Sequence, residues 1–306
     1  MSQQIIMPTV GLEGRFRIEI RRNGILVKET PWFKNVITDV GFTYWYTTGS
    51  STPYLQVGSS NQAPSVTDTA LASPVGVKRG LSYTATTKAS AAPWYTENTY
   101  SVVFPMNTIV GNLAEIGVYL SSALFSRTLI KDSSGNPTVI SVVANEEVTV
   151  YYSIRQYEDL SDTTGSFKIG NTTYNYTSYA MVEPNYIGCT DYILKSYYGY
   201  VVTGTYAETE VPANVRQTNY HATSSYPVIS SSQRNTTPEA GNEVNKITTV
   251  TFGYDANAKD TLPMKTLILR YNGNNPRRFV FDTPIPKDNK KKITFVTELS
   301  ASRFTP

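Results

Sequence analysis

Arg15-Phe-Arg-Ile-Glu-Ile20 alternates charged and apolar residues, and a second apolar run, Ile25-Leu-Val-Lys-Glu29, follows Asn23-Gly24. Alternation at period two lines one face of a strand with apolar side chains. Asn-Gly tolerates the positive φ angles of a type I′ turn, so the two runs are predicted to close as a β-hairpin.

The same period continues along the chain. Tyr54–Val57 reads as a buried strand, and further strands are predicted at 81–87, 99–104, 114–120, 125–130, 139–143 and 147–157. Beyond Asp159–Gly165, read as a linker, they resume at 167–169, 174–181, 193–205, 247–254, 266–271, 278–281 and 292–299. Gly, Pro, Asn and Ser clusters separate them, as in Asp132-Ser-Ser-Gly-Asn-Pro137. Thr38 or Asp39 is placed to cap a short helix carrying Phe42, Tyr44, Trp45 and Tyr46. Short, evenly spaced strands with one or two short helices imply an all-β fold of two antiparallel β-sandwich domains, Ig-like or jelly-roll-like. The expected domains are residues 1–158 and 159–306, the second with a long polar excursion near 208–243. That excursion reads either as a disordered loop or as a clasp that orders on a neighbouring subunit.

The two halves echo each other in order. Thr99–Phe104 resembles Ile247–Phe252, and Ala114–Tyr119 resembles Thr266–Tyr271. Phe125–Ile130 answers Arg278–Phe281, and Val148–Ile154 answers Ile293–Leu299. Duplication of one β unit is the preferred account; that any two all-β stretches look alike is the alternative.

Composition narrows the function classes. Charged residues are 17% of the 306, and the net charge of +3 is too small and too thinly spread to argue for nucleic acid. Cys189 is the single cysteine, which excludes an intrachain disulfide and a cysteine-rich metal site. The start, Met1-Ser-Gln-Gln-Ile-Ile-Met-Pro8, lacks a basic then apolar leader, and no run approaches the ~18 apolar residues of a membrane span. Synthesis in the cytoplasm, without membrane insertion, is the expectation.

Residues able to carry chemistry are few. His221 is the single histidine and has no nucleophile or ligand partner at a usual spacing. The carboxylate pairs Asp39/Asp68 and Asp255/Asp260 have nothing to single them out as a glycosidase pair. Asp255–Asp260 lacks the glycine and distal glutamate of a calcium loop. Glu146-Glu147 marks a turn, and Lys287–Lys292 reads as a solvated turn of the sort that guards sheet edges. Val57–Val75 ends a strand in Gly58 and then runs polar until Thr67 or Asp68 caps a turn that seats Leu71. No enzyme activity, cofactor or metal is expected. The 23 tyrosines are the more informative group. Tyr174, Tyr176, Tyr197, Tyr198 and Tyr200 are candidate contact residues, because Tyr couples a rigid apolar face to a hydroxyl. Inward packing of half of them on alternating strands is the competing reading.

Four segments then line up in a recognisable order: Trp32-Phe-Lys-Asn-Val-Ile-Thr-Asp-Val-Gly-Phe42, Val57–Ala72, Asn112-Leu-Ala-Glu-Ile-Gly-Val118 with Leu124-Phe-Ser-Arg-Thr-Leu-Ile130, and Gly135–Val142 leading into Val148–Tyr157. Over residues 10–160 this resembles a family of tail-associated structural proteins of tailed bacteriophages. The sequence departs at Ser59-Ser60, where glycine is common in that family, and at Phe42, where leucine is usual. The resemblance implies a virion component, such as a tail fibre, collar, sheath-like or baseplate part, assembled in the host cytoplasm. It implies a homo-oligomer in contact with other tail or connector proteins. The alternative is a receptor- or glycan-binding module that touches a glycan or protein of the bacterial surface.

Overall fold

The structure, a computed structural model, describes residues 4–6, 9–48, 53–180, 202–207, 230–235, 243–252, 264–270, 277–286, 290 and 293–304. The first half forms β1 (Gln4–Ile6), β2 (Val10–Arg22), β3 (Ile25–Glu29), β4 (Phe33–Lys34), β5 (Val36–Ile37), helix α1 (Asp39–Thr48) and β6 (Pro53–Gly58). It continues through β7 (Pro74–Arg79), β8 (Ser82–Lys88), β9 (Tyr95–Phe104), β10 (Gly111–Leu113), β11 (Glu115–Leu120), β12 (Ala123–Leu129), β13 (Ile140–Val142) and β14 (Glu146–Tyr157). The second half contains β15 (Thr163–Ile169), β16 (Thr172–Ala180), β17 (Val202–Ala207), β18 (Ser230–Asn235) and β19 (Glu243–Phe252). It ends with β20 (Met264–Arg270), β21 (Arg277–Ile285) and β22 (Ile293–Arg303).

The chain is all-β, as the alternation predicts. The β2–β3 hairpin turns at Asn23 and Gly24 with φ of 50° and 78°, the left-handed angles that Asn-Gly accommodates. Thr38 caps α1, its hydroxyl accepting the Gly41 amide at 3.1 Å.

A central sheet runs β18-β19-β22-β2-β14-β9-β8, with β1 beside β22 and β3 and β4 beside β2. A second sheet runs β5-β12-β11-β6-β7 and a third β15-β16-β21-β20-β17. Val10 lies opposite Ala301, so the even residues of β2 share a face with the odd residues of β22. On that face Tyr152 meets Phe16 with the rings tilted, ring centres 4.7 Å apart, and its hydroxyl accepts from Ser126 of β12 at 3.4 Å. Further along it, Phe295 of β22 meets Phe167 of β15 at 5.8 Å and Phe281 of β21 at 6.3 Å. The second and third sheets therefore cover one face of the central sheet side by side, and one apolar core joins all three.

The pairing pattern repeats. β5, β6, β8, β9, β11, β12 and β14 correspond in order to β16, β17, β18, β19, β20, β21 and β22. The pairs β5·β12, β6·β11, β11·β12, β8·β9 and β9·β14 recur as β16·β21, β17·β20, β20·β21, β18·β19 and β19·β22, all antiparallel. All four sequence echoes fall on corresponding strands. Register agrees as well: Phe104 lies opposite Val148, and their counterparts Phe252 and Ile293 lie opposite each other.

The expected division at 158/159 separates these two units along the sequence, but main-chain pairing crosses it. β22 runs parallel to both β1 and β2. The linker read at 159–165 is shorter than expected, because β15 begins at Thr163. Within the polar excursion, Ser230–Asn235 is a strand at one edge of the central sheet; residues 208–229 and 236–242 lie outside the described residues.

Candidate functional site

The polar stretch after β6 is held by buried charge. Glu115 and Arg127 sit opposite one another's neighbours on β11 and β12, and their side chains are 0% and 1% exposed. The Arg127 guanidinium donates to Glu115 at 2.9 Å, to Asp68 at 2.7 Å and to the Gln62 carbonyl at 2.9 Å. Glu115 in turn accepts the Ala72 and Ser73 amides at 3.2 and 2.7 Å, and Asp68 accepts the Ser65 amide at 2.7 Å. Leu71 is seated as expected, buried, with its amide donating to the Tyr119 hydroxyl at 2.9 Å. A Cβ on Gly58 would stand 2.5 Å from the Glu115 carboxylate, so the glycine makes room for the latch.

Two of the four segments that carried the family resemblance therefore meet here, one through Asp68 and the other through Glu115 and Arg127. Sequence reading found Asp68 as a cap but missed the other two. Their signal was present: a glutamate and an arginine inside otherwise apolar strand runs call for each other. The arrangement anchors a loop. Each carboxylate is engaged by guanidinium or amide donors, which opposes a role in acid–base chemistry. Asp39, the other half of one candidate carboxylate pair, is bound separately by Arg303.

A second cluster covers the outer face of the central sheet. Arg15 lies over the Trp32 ring at 4.7 Å, Arg17 over Tyr151 at 5.3 Å and Arg155 over Tyr95 at 4.4 Å. Between them Glu97, 4% exposed, accepts from Arg15 at 2.5 Å and Arg155 at 3.1 Å, and from the Ser153 hydroxyl. Burial alone would raise the Glu97 carboxyl, but the Ser153 hydrogen bond and the two arginines outweigh it and hold the group below the usual carboxylate range. A depressed folded-state pKa stabilises above the unfolded value, and that contribution is lost as pH falls through the folded value. Stability should decline below about pH 4, and Glu97→Gln should flatten the decline. Urea midpoints across a pH series measure this; parallel pH profiles for the two proteins would show that Glu97 adds nothing.

The tyrosine candidates divide. Tyr174 and Tyr176 are buried, which corrects the expectation that they present a contact surface. Tyr174 stacks on Phe167 at 5.8 Å, and Tyr176 meets Phe279 edge-on at 5.4 Å. Strand alternation turns both toward the apolar core. Tyr197, Tyr198 and Tyr200 lie outside the described residues, as do Cys189, His221 and Asp255–Asp260.

Exposed apolar side chains gather instead at one end of the first sandwich. Ile25, Leu26 and Val27 of β3 are 70%, 40% and 42% exposed. Met106 and Val110 after β9, and Val139 and Val143 around β13, are exposed too. Lys28 reaching the Ser141 carbonyl at 2.7 Å, and the Asn107 amide reaching the Ala144 carbonyl at 2.9 Å, bring these segments together. Among the described residues β3 pairs with β2 alone, which leaves its outer edge open.

Among the described residues no three His, Cys, Asp or Glu side chains are grouped to hold a metal ion, and no helix is long and apolar enough to cross a membrane. No family model, curated protein or solved structure matches the chain.

Proposed function

We propose that the protein is a structural subunit of a bacteriophage virion, part of the tail, that assembles in the host cytoplasm with copies of itself and with neighbouring tail or connector proteins. The observation that carries this reading is the open apolar edge at β3. Sheet edges that meet only water are commonly blunted by charge, proline or a covering segment, and an exposed apolar edge invites another chain. Here Ile25, Leu26 and Val27 stand exposed in succession on a strand that, among the described residues, has a partner on one edge alone. The ordered tail-protein-like segments between residues 32 and 157 support the same reading. They converge on a latch and a helix seat that hold the sandwich together, as a structural role requires.

Light scattering coupled to size-exclusion chromatography tests it. The chain should elute as a defined oligomer, and Leu26→Asp with Val27→Asp should shift it to the monomer mass with circular dichroism unchanged. Stable assemblies bury about 1,200–2,000 Å² in total, so two charges at the centre of such a contact should be decisive. A wild-type chain that stays monomeric and joins no particle would overturn the proposal.

A further inference from the structure

Where the two units join, at the end of the central sheet away from the β2–β3 turn, lies a cleft of about 790 Å³. Ligand clefts span about 300–1,000 Å³ and are walled mostly by apolar and aromatic groups with a few polar ones. Trp94 forms one wall and is 36% exposed, unusual for so large a ring. Its carbonyl accepts the Glu158 amide at 2.9 Å, which fixes the wall to the end of β14. A stacked pair, Tyr157 and Phe304, also lines the cleft, with centroids 3.5 Å apart and planes 7° from parallel. A Cβ at Gly11 would lie 3.0 Å from the Phe304 ring, so the glycine lets Phe304 lie flat on the sheet.

The polar groups around these rings select the ligand. Thr9, Ser161 and Ser302 bring hydroxyls, and Glu158 and Asp159 bring carboxylates. The Ser161 hydrogen bonds, helped by Arg277, hold Asp159 below the usual carboxylate range, so it is ionised at neutral pH. The guanidiniums nearby are committed elsewhere. Arg303 donates to the Ile37 carbonyl at 2.7 Å and to Asp39, and Arg277 donates to the carbonyls of Asp159, Ser161 and Ser178. A phosphate, sulfate or uronate would meet two lining carboxylates, Glu158 and Asp159, against one lining guanidinium, Arg303, which is already paired with Asp39. A flat aromatic wall suits the C–H face of a pyranose ring, and carboxylates and hydroxyls suit its hydroxyl groups.

We infer that this cleft binds an uncharged saccharide, with Trp94 as the stacking platform and Asp159 as a hydroxyl acceptor. The inference stands on the cleft alone. A monomeric chain with saccharide affinity would sink the assembly reading and leave this one standing.

Tryptophan fluorescence and saturation-transfer NMR on the full chain test it, with hexasaccharides of glucose, galactose and N-acetylglucosamine, plus oligogalacturonate and choline as charged controls. At least one neutral hexasaccharide should bind with Kd at or below about 1 mM. Trp94→Ala should weaken that binding by about tenfold or more, and Trp94→Tyr should retain most of it. Trp94 is exposed, so both variants should fold. No response to any neutral hexasaccharide at about 10 mM, tighter binding of oligogalacturonate or choline, or full affinity in Trp94→Ala would each overturn the proposal.

Discussion

Arg127→Met should cost about 3–5 kcal/mol, because it leaves the fully buried Glu115 carboxylate without its guanidinium. The wild-type latch is not itself without cost. Arg127 Nε is buried with no hydrogen-bond partner, so part of the Coulomb gain is spent on desolvation. Removing one partner is much worse than that, since the charge left behind keeps its own desolvation penalty. Replacing Glu115 by Leu in the same chain should not restore stability. Glu115 also satisfies the Ala72 and Ser73 amides, which an apolar residue would orphan. Urea denaturation of both variants measures the cost. Hydrogen exchange should show the Ser65, Leu71 and Ser73 amides released before the rest of the sandwich. A loss below about 1 kcal/mol for Arg127→Met would show that the latch does not hold the loop.

Gly41→Ala should exceed the about 1–3 kcal/mol of ordinary overpacking, with Gly41→Val worse. The added Cβ would sit 2.1 Å from the Phe125 Cα and 2.3 Å from the Leu124 carbonyl oxygen. Both obstacles are main chain, so no rotamer change relieves them. At Gly14 the obstacles are the Asn35 side chain and the Tyr152 hydroxyl, which can move. The only remedy at position 41 is to lift α1 off β12. That would break the Thr38 bridge, in which one hydroxyl donates to the Leu124 carbonyl and accepts the Gly41 amide. It would also expose Phe42 and Trp45, which stack at 5.9 Å and are buried. Thermal melts followed by near-ultraviolet circular dichroism report on that ring pair; a Gly41→Ala melt matching wild type would refute the close contact.

Both residues lie within segments first noticed for their order along the chain. The structure gives that order a physical sense: Gly41 packs on the main chain of β12, and Asp68 and Glu115 both hold Arg127 of the same strand. Placement of the remaining candidates was less legible. β7 escaped notice because Val75 and Val77, its apolar residues, point to an exposed side and the run lies close to the polar loop. The start of β15, Thr163–Gly165, reads as linker because Thr163-Thr-Gly-Ser166 has turn composition, though its ladder with β16 makes it strand.

By itself the sequence determined most of the strands, the Asn23-Gly24 turn, the Thr38 cap and the echo between halves. Each rests on period-two alternation or on turn and cap chemistry within a few residues, and local signals survive without knowledge of the fold. Only the tertiary structure decided that β22 returns to lie along β1 and β2, and that Tyr174 and Tyr176 turn inward. It likewise decided that Arg127 finds both Glu115 and Asp68, and that Trp94 and Phe304 line one cleft. These depend on which distant strands become neighbours, and packing of the whole chain sets that.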